Sequence, residues 1–447
     1  MKSLSIFLLS LICFSSSVRA NELGAALPRQ TYWGASASVT GKESGAVVRR
    51  VRPNSPAEKA GLKPGDVILQ INGKQLTDQR IYDALLKSTR AGAPVELRVS
   101  REGQVLVVQL TPVPLPKEVF KGVDVIHDSV VTEHGHRVRT IITRPENAQG
   151  RLPAMMLVPW LSCNSVEWPL GPPFGVAKVL HGLAEKSGLV LMRVERPGVG
   201  DSEGPPCADN DLHTDMAAYR AALRALKKYD FVDADNVFLF GSSLGGALAP
   251  IIARDDSVRG LIVSGGFTKT WYEHMLEIER TRLALLGRTP SEINDAMRGY
   301  SEFYSMYLNQ KLTPAEVIRQ RPHLSKLWDD EPERQYGRPA AFYHQVQELN
   351  VEAAWAQISV PALIIYGEYD WIMSRADHEL AAHIVNRRRP GNARLAIAPK
   401  TSHSLDVYES MEKAFKEEGG KFDDSVITLI IDWLKDNRNA SSSPAKL

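Results

Sequence analysis

Neither sign of charge dominates this 447-residue sequence, which has 54 Lys plus Arg against 52 Asp plus Glu. Two basic residues, Lys2 and Arg19, lie within the first twenty positions, and removing them leaves 52 basic residues against 52 acidic ones. Binding to a nucleic-acid backbone requires a basic excess or a basic patch. We therefore expect no nucleic-acid partner.

Long apolar runs are scarce as well, and the one that stands out lies at the N-terminus. Lys2 precedes an apolar run over residues 4–14, and Val18-Arg19-Ala20 follows with small residues at the cleavage positions. This run is too short to cross a bilayer, because a membrane span needs about 20 residues. The pattern predicts a signal peptide over residues 1–20 and a secreted or periplasmic protein without stable membrane insertion.

Cysteine is rare, with three in the whole chain. Cys13 lies in the predicted signal peptide, so Cys163 and Cys207 remain in the mature protein. In an oxidising compartment these two could form a disulfide. The sequence also has no internal repeat of 20–50 residues, which argues against a propeller or a solenoid.

The first segment after the leader, residues 32–115, is small and β-rich. Its central motif reads Ser55-Pro56-Ala57, then Ala60-Gly61-Leu62-Lys63-Pro64-Gly65-Asp66, then Ile71-Asn72-Gly73. Ser55-Pro56 can begin a short helix, Gly61 can end it, and Asn72-Gly73 suits a tight hairpin. A further helix is predicted over Gln79–Ser88.

This segment resembles a PDZ domain of the type found in bacterial secreted proteases. In that family a backbone loop before the first ligand-binding strand receives a peptide C-terminus. The resemblance places this loop at Tyr32, Trp33, Gly34 and Ala35, and implies a peptide C-terminus as a partner. The alternative is a PDZ fold that only packs against its neighbour. Pro112, Pro114 and Pro116 then form a stiff linker.

From residue 119 to residue 437, apolar strand candidates alternate with helical patterns, which is typical of a mostly parallel α/β sheet. Two strands, residues 123–130 and 137–143, are expected to open it as an antiparallel pair. Six further candidates follow: residues 155–158, 190–194, 237–240, 261–264, 362–366 and 394–398.

A tight turn between a strand and a helix carries the first candidate catalytic residue. Residues 237–240 lead directly into Gly241-Ser242-Ser243-Leu244-Gly245, and an apolar helical run follows. Gly-x-Ser-x-Gly in this context is typical of a nucleophile elbow, in which the glycines allow a strained turn that raises the serine above the sheet. Ser243 is therefore the candidate nucleophile.

A serine nucleophile needs a base and an acid that orients the base. Asp370 follows the strand at residues 362–366 and is the preferred acid, although Glu368 lies two residues earlier. His403 follows the strand at residues 394–398 and is the preferred base. The other candidates, His274, His344, His378 and His383, lie in helical patterns and are interpreted as ordinary structural residues.

Together these motifs resemble the α/β-hydrolase fold over residues 119–437. The predicted fold class is therefore α/β: a mostly parallel sheet flanked by helices, with a helical cap insertion, preceded by the small PDZ domain. The resemblance implies an acyl-enzyme mechanism with Ser243, His403 and Asp370, and no metal or organic cofactor. It also implies an oxyanion hole formed by the amides of Leu244 and Leu161, with Trp160 as the alternative to Leu161.

Both cysteines follow strands whose loops should emerge at the same edge of this sheet. Cys163 comes after the strand at residues 155–158, and Cys207 comes after the strand at residues 190–194. The topology and the oxidising compartment together predict a Cys163–Cys207 disulfide. The intervening loop, residues 195–204, matches a family motif whose main expected role is to shape the turn.

Residues 267–350 interrupt the sheet pattern and predict the helical cap insertion. Thr289-Pro290 and Thr313-Pro314 are each followed by a Glu, which marks a helix start. Tyr300, Phe303, Tyr304 and Tyr307 follow helical spacing and are expected in the core of the cap. Trp160 and Trp371 are the candidates for the wall of the substrate pocket. The serine-rich tail, residues 439–447, is expected to be disordered.

These patterns predict a secreted serine hydrolase that cleaves carboxylic esters or amides, with a small-molecule or peptide carbonyl substrate. An esterase is slightly favoured, and a peptidase of the prolyl-oligopeptidase or aminopeptidase type is the alternative. A second alternative is a non-catalytic scaffold that binds through its PDZ domain. The intact order of Ser243, Asp370 and His403 argues against that scaffold.

Overall fold

The structure is a computed structural model that describes residues 23–39, 45–171, 173 and 175–438. The predicted signal peptide, residues 1–20, and the predicted disordered tail, residues 439–447, lie outside the described residues. Two main sheets, each with its own hydrophobic core, organise the described part of the chain.

The N-terminal sheet has the β-rich composition expected for residues 32–115. The predicted helix is present as Gln79–Ser88, and the Ser55 side chain caps a short helix over Pro56–Lys59. Asn72 and Gly73 both have positive φ, as a tight hairpin requires. The strands of this sheet are Ala35–Val39, Ala46–Val51, Val67–Ile71, Lys74–Gln75, Val95–Arg101 and Gln104–Leu110.

The second sheet has nine strands, and the last six in its spatial order run parallel to one another. The predicted antiparallel pair is present as Val123–Val131 with Arg137–Pro145. In spatial order the strands are Leu23–Gly24, Val123–Val131, Arg137–Pro145, Val190–Val194, Leu152–Val158, Val232–Ser242, Gly260–Ser264, Ala362–Gly367 and Ala393–Ala398.

Both faces of this sheet are buried, as expected when helices cover a parallel sheet on each side. On the strand Leu152–Val158, Ala154 and Met156 pack into one core, while Met155 and Leu157 pack into the other. The main helices against the sheet are Val176–Lys186, Leu212–Leu226, Leu244–Asp255, Val351–Gln357, Arg375–Arg388 and Ser425–Arg438. A short helix, Met411–Phe415, precedes the last of them.

The segment predicted as a cap insertion contains a cluster of helices between two strands of the sheet. Both predicted helix starts are present as capping boxes, with Thr289 and Thr313 as the caps. The four aromatic residues expected in the cap core, Tyr300, Phe303, Tyr304 and Tyr307, are all buried. The helices are Trp271–Leu285, Pro290–Tyr304, Ser305–Asn309 (a π-helix), Pro314–Gln320, Pro322–Leu327 (a 3-10 helix) and Ala340–Gln347.

Cys163 and Cys207 form the predicted disulfide, with their Cα atoms 5.8 Å apart. Cys163 lies in the loop after the strand Leu152–Val158, and Cys207 begins a short 3-10 helix after the strand Val190–Val194. These two strands are adjacent and parallel, so their carboxyl ends lie at the same edge of the sheet. The bond therefore joins two loops at that edge.

The N-terminal sheet contacts the larger domain through the helix Gln79–Ser88. The Lys87 ammonium donates hydrogen bonds to the carbonyls of Gly198 and Ser202, both at 3.1 Å. Arg29, which precedes the sheet, forms ion pairs with Glu167 and Asp201. These contacts fix the loop at residues 195–204 between the two domains.

Candidate active site

Ser243 lies at the sharp turn between the strand Val232–Ser242 and the helix Leu244–Asp255. Its backbone has φ 57° and ψ −124°, a strained conformation for a residue with a side chain. The turn also depends on Gly245, because a Cβ there would lie 1.9 Å from the carbonyl oxygen of Val158. The sequence motif thus produces the predicted elbow, with the helix N-terminus immediately after the serine.

The structure brings Ser243, His403 and Asp370 together in one hydrogen-bonded chain. His403 Nε2 lies 3.0 Å from Ser243 Oγ, and His403 Nδ1 lies 2.8 Å from Asp370 Oδ2. A carboxylate can only accept, so Nδ1 carries the ring proton and Nε2 is free to accept the proton of the serine. The arrangement therefore has the geometry of a nucleophile, a base and an orienting acid.

Asp370 is held in place by its own loop. Its second carboxylate oxygen, Oδ1, accepts hydrogen bonds from the amides of Ile372 and Met373 at 3.0 and 2.9 Å. The competing acid, Glu368, is exposed and accepts a hydrogen bond from the Lys400 amide. Glu368 therefore binds the backbone of the loop at Lys400, whereas Asp370 contacts His403.

The protonation of His403 reflects two opposing effects. Burial lowers the pKa of His403, but the Asp370 carboxylate outweighs burial, and the net pKa lies above the ordinary value. Close packing around the ring also requires Gly265, because a Cβ there would lie 2.9 Å from His403 Nδ1. The sequence analysis did not identify Gly265.

A cavity of about 250 Å³ opens above Ser243. Its wall is mostly apolar and aromatic, and the described residues that line it include no acidic or basic side chain other than histidine. The lining residues are Leu161, Ser243, Leu244, Trp271, His274, Ile278, Tyr336, Trp371, Ile372, Met373 and His403.

Three residues singled out from the sequence line this cavity: Leu161 and Leu244, expected as oxyanion donors, and Trp371, expected as a pocket residue. Leu244 is the first residue of its helix, and the first amides of a helix have no partner within the helix. That amide is therefore available to a negatively charged oxygen beside Ser243.

The prediction for Trp160 as a pocket residue is wrong. The indole of Trp160 packs against Trp168, with ring centroids 6.0 Å apart, and belongs to the core on the other face of the sheet. Its neighbour Leu161 lines the cavity and packs against the core on the opposite face of the sheet.

The structure adds a histidine that the sequence analysis set aside as structural. His274 lines the cavity together with Trp271 and Ile278, all on the helix Trp271–Leu285. Its ring is 1% exposed, and burial lowers its pKa to about 4, so the imidazole is neutral near pH 7. The spacing of these three residues is three and four positions, so they share one face of the helix.

The predicted PDZ loop also borders a cavity, of about 620 Å³. Tyr32, Trp33, Gly34 and Ala35 all line it, and the strand Ala35–Val39 beside it stands at the edge of the sheet formed by the described residues. Trp33 is also part of the hydrophobic core of this domain. The remaining wall includes Leu170 and Gly198 of the larger domain, so the cavity lies between the two domains.

Comparison with known families agrees with this architecture. The model of the alpha/beta hydrolase family matches residues 160–418, more than half of the chain. The chain belongs to the alpha/beta hydrolase family. A PDZ domain model matches residues 34–111, so the predicted combination of a PDZ domain with an alpha/beta hydrolase domain is confirmed.

Two of the relatives below match this chain over more than half of its length, and the third matches a short segment of 68 residues. The Esterase EstD of Thermotoga maritima is 21% identical over 362 residues, covering 80% of each chain. The Proline iminopeptidase of Thermoplasma volcanium is 28% identical over 252 residues, covering 52% of this chain and 79% of that protein. The Periplasmic serine endoprotease DegP of Salmonella typhimurium is 40% identical over 68 residues, covering 15% of this chain and 14% of that protein.

The prediction of a serine hydrolase is thereby confirmed, with relatives that include an esterase and a peptidase. Within the described residues, no group of three His, Cys, Asp or Glu side chains has an arrangement that could hold a metal ion. None of the helices in that part of the chain is long and apolar enough to cross a bilayer.

Proposed function

We propose that this protein is an exported esterase that cleaves esters of small or medium apolar acyl groups through an acyl-enzyme on Ser243. The observation that carries the proposal is the chain from Ser243 through His403 to Asp370 at the floor of an apolar cavity. His403 takes the serine proton as Oγ attacks the ester carbonyl, and returns it to the departing alcohol. Water, activated by the same histidine, then releases the acid.

The composition of the cavity favours an ester over an N-terminal peptide substrate. An aminopeptidase must bind the ammonium group of its substrate, and an ammonium group removed from water needs an anionic or strongly polar partner. The described residues that line the cavity offer no carboxylate for this purpose. Its volume of about 250 Å³ is slightly below the usual range of ligand pockets, which suits a short acyl chain.

A fluorophosphonate probe and a substrate panel test this function. We expect the probe to label the purified protein, with the adduct located by mass spectrometry on the peptide that contains Ser243. We expect p-nitrophenyl acetate and butyrate to be hydrolysed with kcat/KM about 10²-fold above prolyl and alanyl p-nitroanilides. Anilide turnover that exceeds ester turnover would establish the peptidase alternative, and the absence of labelling in the folded protein would favour the non-catalytic scaffold.

Export is part of this proposal. It is supported by the signal-peptide pattern of residues 1–20 and by the Cys163–Cys207 disulfide, a bond typical of oxidising compartments. We expect the protein in the periplasmic or extracellular fraction, with its N-terminus immediately after Ala20, as determined by mass spectrometry. Full-length protein in the cytoplasm would contradict export.

We also propose that the PDZ groove binds a peptide C-terminus. The loop Tyr32–Ala35 and the edge strand beside it supply the main-chain groups for strand addition. Three basic residues, Arg50, Arg52 and Lys87, line the same cavity against one acidic residue, Asp83. We expect C-terminal peptides with a free carboxylate to bind more tightly than the same peptides with an amidated C-terminus, as measured by fluorescence anisotropy. Equal binding of the two forms would contradict carboxylate recognition.

A further inference from the structure

A buried arginine holds the loop that carries the second predicted oxyanion donor. The guanidinium of Arg196 donates hydrogen bonds to the carbonyl of Trp160 and to the carbonyl of Ser162, the latter at 2.9 Å. These two carbonyls flank Leu161, which lines the cavity beside Ser243. Arg196 is 2% exposed and is not among the residues that line the cavity.

The direction of the Leu161 amide follows from the geometry of the peptide bond. In a trans peptide the C=O and the following N–H point in opposite directions. The described residues contain no cis peptide bond. When Arg196 binds the Trp160 carbonyl, the Leu161 N–H therefore points away from the guanidinium. A charge-assisted hydrogen bond to that carbonyl also polarises the amide and makes its N–H a stronger donor.

We propose that Arg196 is a positioning residue that directs the Leu161 amide toward the oxyanion formed at Ser243. This proposal rests on the proposed function and deepens it, because it assigns a mechanistic role to a loop expected only to shape a turn. Arg196 does not touch the substrate and acts through the peptide unit between Trp160 and Leu161. Pro159, just before this unit, has no N–H and cannot act as the donor itself.

A second layer of contacts holds Arg196 in turn. Asp215 Oδ2 accepts a hydrogen bond from Arg196 Nε at 3.1 Å and another from Arg338 Nη2 at 2.8 Å. Arg338 comes from the inserted segment, and its Nη1 lies 3.0 Å from the Cys207 sulfur of the disulfide. Because Cys163 directly follows Ser162, the disulfide restrains the same loop at its far end. The loop is thus fixed from both sides.

The matched control for Arg196 is Arg193, three residues earlier on the same segment. Arg193 is 1% exposed, forms an ion pair with Glu118 and donates to the Val166 carbonyl at 2.8 Å. In the described part of the chain, no hydrogen bond or ion pair joins the Arg193 guanidinium to residues 160–162. Replacement of either arginine by Met removes a buried guanidinium and its ion pair, but only Arg196→Met frees the Trp160 carbonyl.

The test measures ester kinetics and the affinity of an aryl trifluoromethyl ketone, which adds to a serine and forms a tetrahedral oxyanion. We expect Arg196→Met to lower kcat about 10²- to 10³-fold, as the loss of one oxyanion donor does, with a small change in KM. We expect the inhibition constant of the ketone to rise by a similar factor. Arg193→Met should leave both the ketone affinity and kcat within about threefold of the wild type at a temperature where both variants are folded.

Arg196 uses three separate nitrogens for Asp215 and the two carbonyls. Arg196→Lys keeps the positive charge but replaces this fork by a single ammonium group, so we expect an intermediate loss in both measurements. The proposal is overturned if Arg196→Met has wild-type kcat and ketone affinity, or if Arg196→Met lowers kcat without weakening the binding of the ketone. Equal losses in Arg196→Met and Arg193→Met would also overturn it, because they would indicate a general loss of stability. Failure of the wild type to react with a fluorophosphonate would instead contradict the proposed function.

Discussion

Replacement of Asp370 by Asn is expected to lower kcat for ester hydrolysis about 10⁴-fold, the size of effect known when the acid of such a triad loses its charge. The amide that replaces Oδ2 either donates toward Nδ1 or binds it weakly, so the imidazole no longer presents Nε2 as the acceptor to Ser243. The cavity is untouched, because Asp370 does not line it. We therefore expect KM to change little.

The same variant is expected to change the pH dependence of kcat/KM. The neutral form of His403 is the base, so activity rises with pH through the pKa of this residue. Asp370 holds that pKa above its ordinary value against the opposing effect of burial. In Asp370→Asn burial remains and the carboxylate is lost, so the acid limb of the residual activity should move to lower pH. If the pH range over which activity rises is the same in Asp370→Asn as in the wild type, a group other than His403 controls this rise.

Glu368→Gln is the control for this prediction. Glu368 lies two residues before Asp370, and its carboxylate accepts from the Lys400 amide. An exposed hydrogen bond of this kind contributes about 1 kcal/mol or less to stability and does not involve His403. We expect kcat within about twofold of the wild type. A loss comparable to that of Asp370→Asn would assign the role of the acid to Glu368.

The strands and the elbow could be predicted because local sequence determines them. A parallel strand buried on both faces is a short continuous apolar run, as at Val190–Val194, and the structure has the same bounds. The positions after these strands are then fixed by topology, since the carboxyl ends of parallel strands meet at one edge. This is why Ser243, Asp370 and His403 could be selected, although they are far apart in sequence.

The cavity wall was harder to predict, because it depends on how the inserted helices lie over the sheet. Trp271, His274 and Ile278 form one face of a helix, but the sequence does not show which neighbour that face contacts. The prediction that Trp160 lines the pocket was wrong for a related reason. Its position beside the oxyanion loop was known, whereas the side to which its indole turns depends on Trp168 and the core around it. The sequence assigned Arg196 only to a turn, because the carbonyl groups that it binds lie more than thirty residues away in the chain.

Replacement of Ser243 by Ala should abolish turnover, with kcat lowered about 10⁶-fold, and should remove fluorophosphonate labelling. The side-chain oxygen is the atom that forms the acyl-enzyme, and no other hydroxyl in the described cavity wall lies within hydrogen-bond distance of His403 Nε2. Alanine keeps the Cβ, so the strained backbone at φ 57° is unchanged and the variant should fold as the wild type does.

Ser242→Ala is the matched control, since Ser242 is the adjacent hydroxyl in the same elbow and is 7% exposed. Its backbone pairs with Ser264 in the sheet, and the hydrogen bond to His403 belongs to Ser243. We expect Ser242→Ala to retain labelling and to keep kcat within about threefold of the wild type, because a single buried hydroxyl contributes about 1 kcal/mol. If Ser242→Ala were inactive while Ser243→Ala retained turnover, the nucleophile would be Ser242 and not Ser243. If both variants retained ester turnover and labelling, the hydrolysis would not use the elbow, and the geometry of Ser243, His403 and Asp370 would need another explanation.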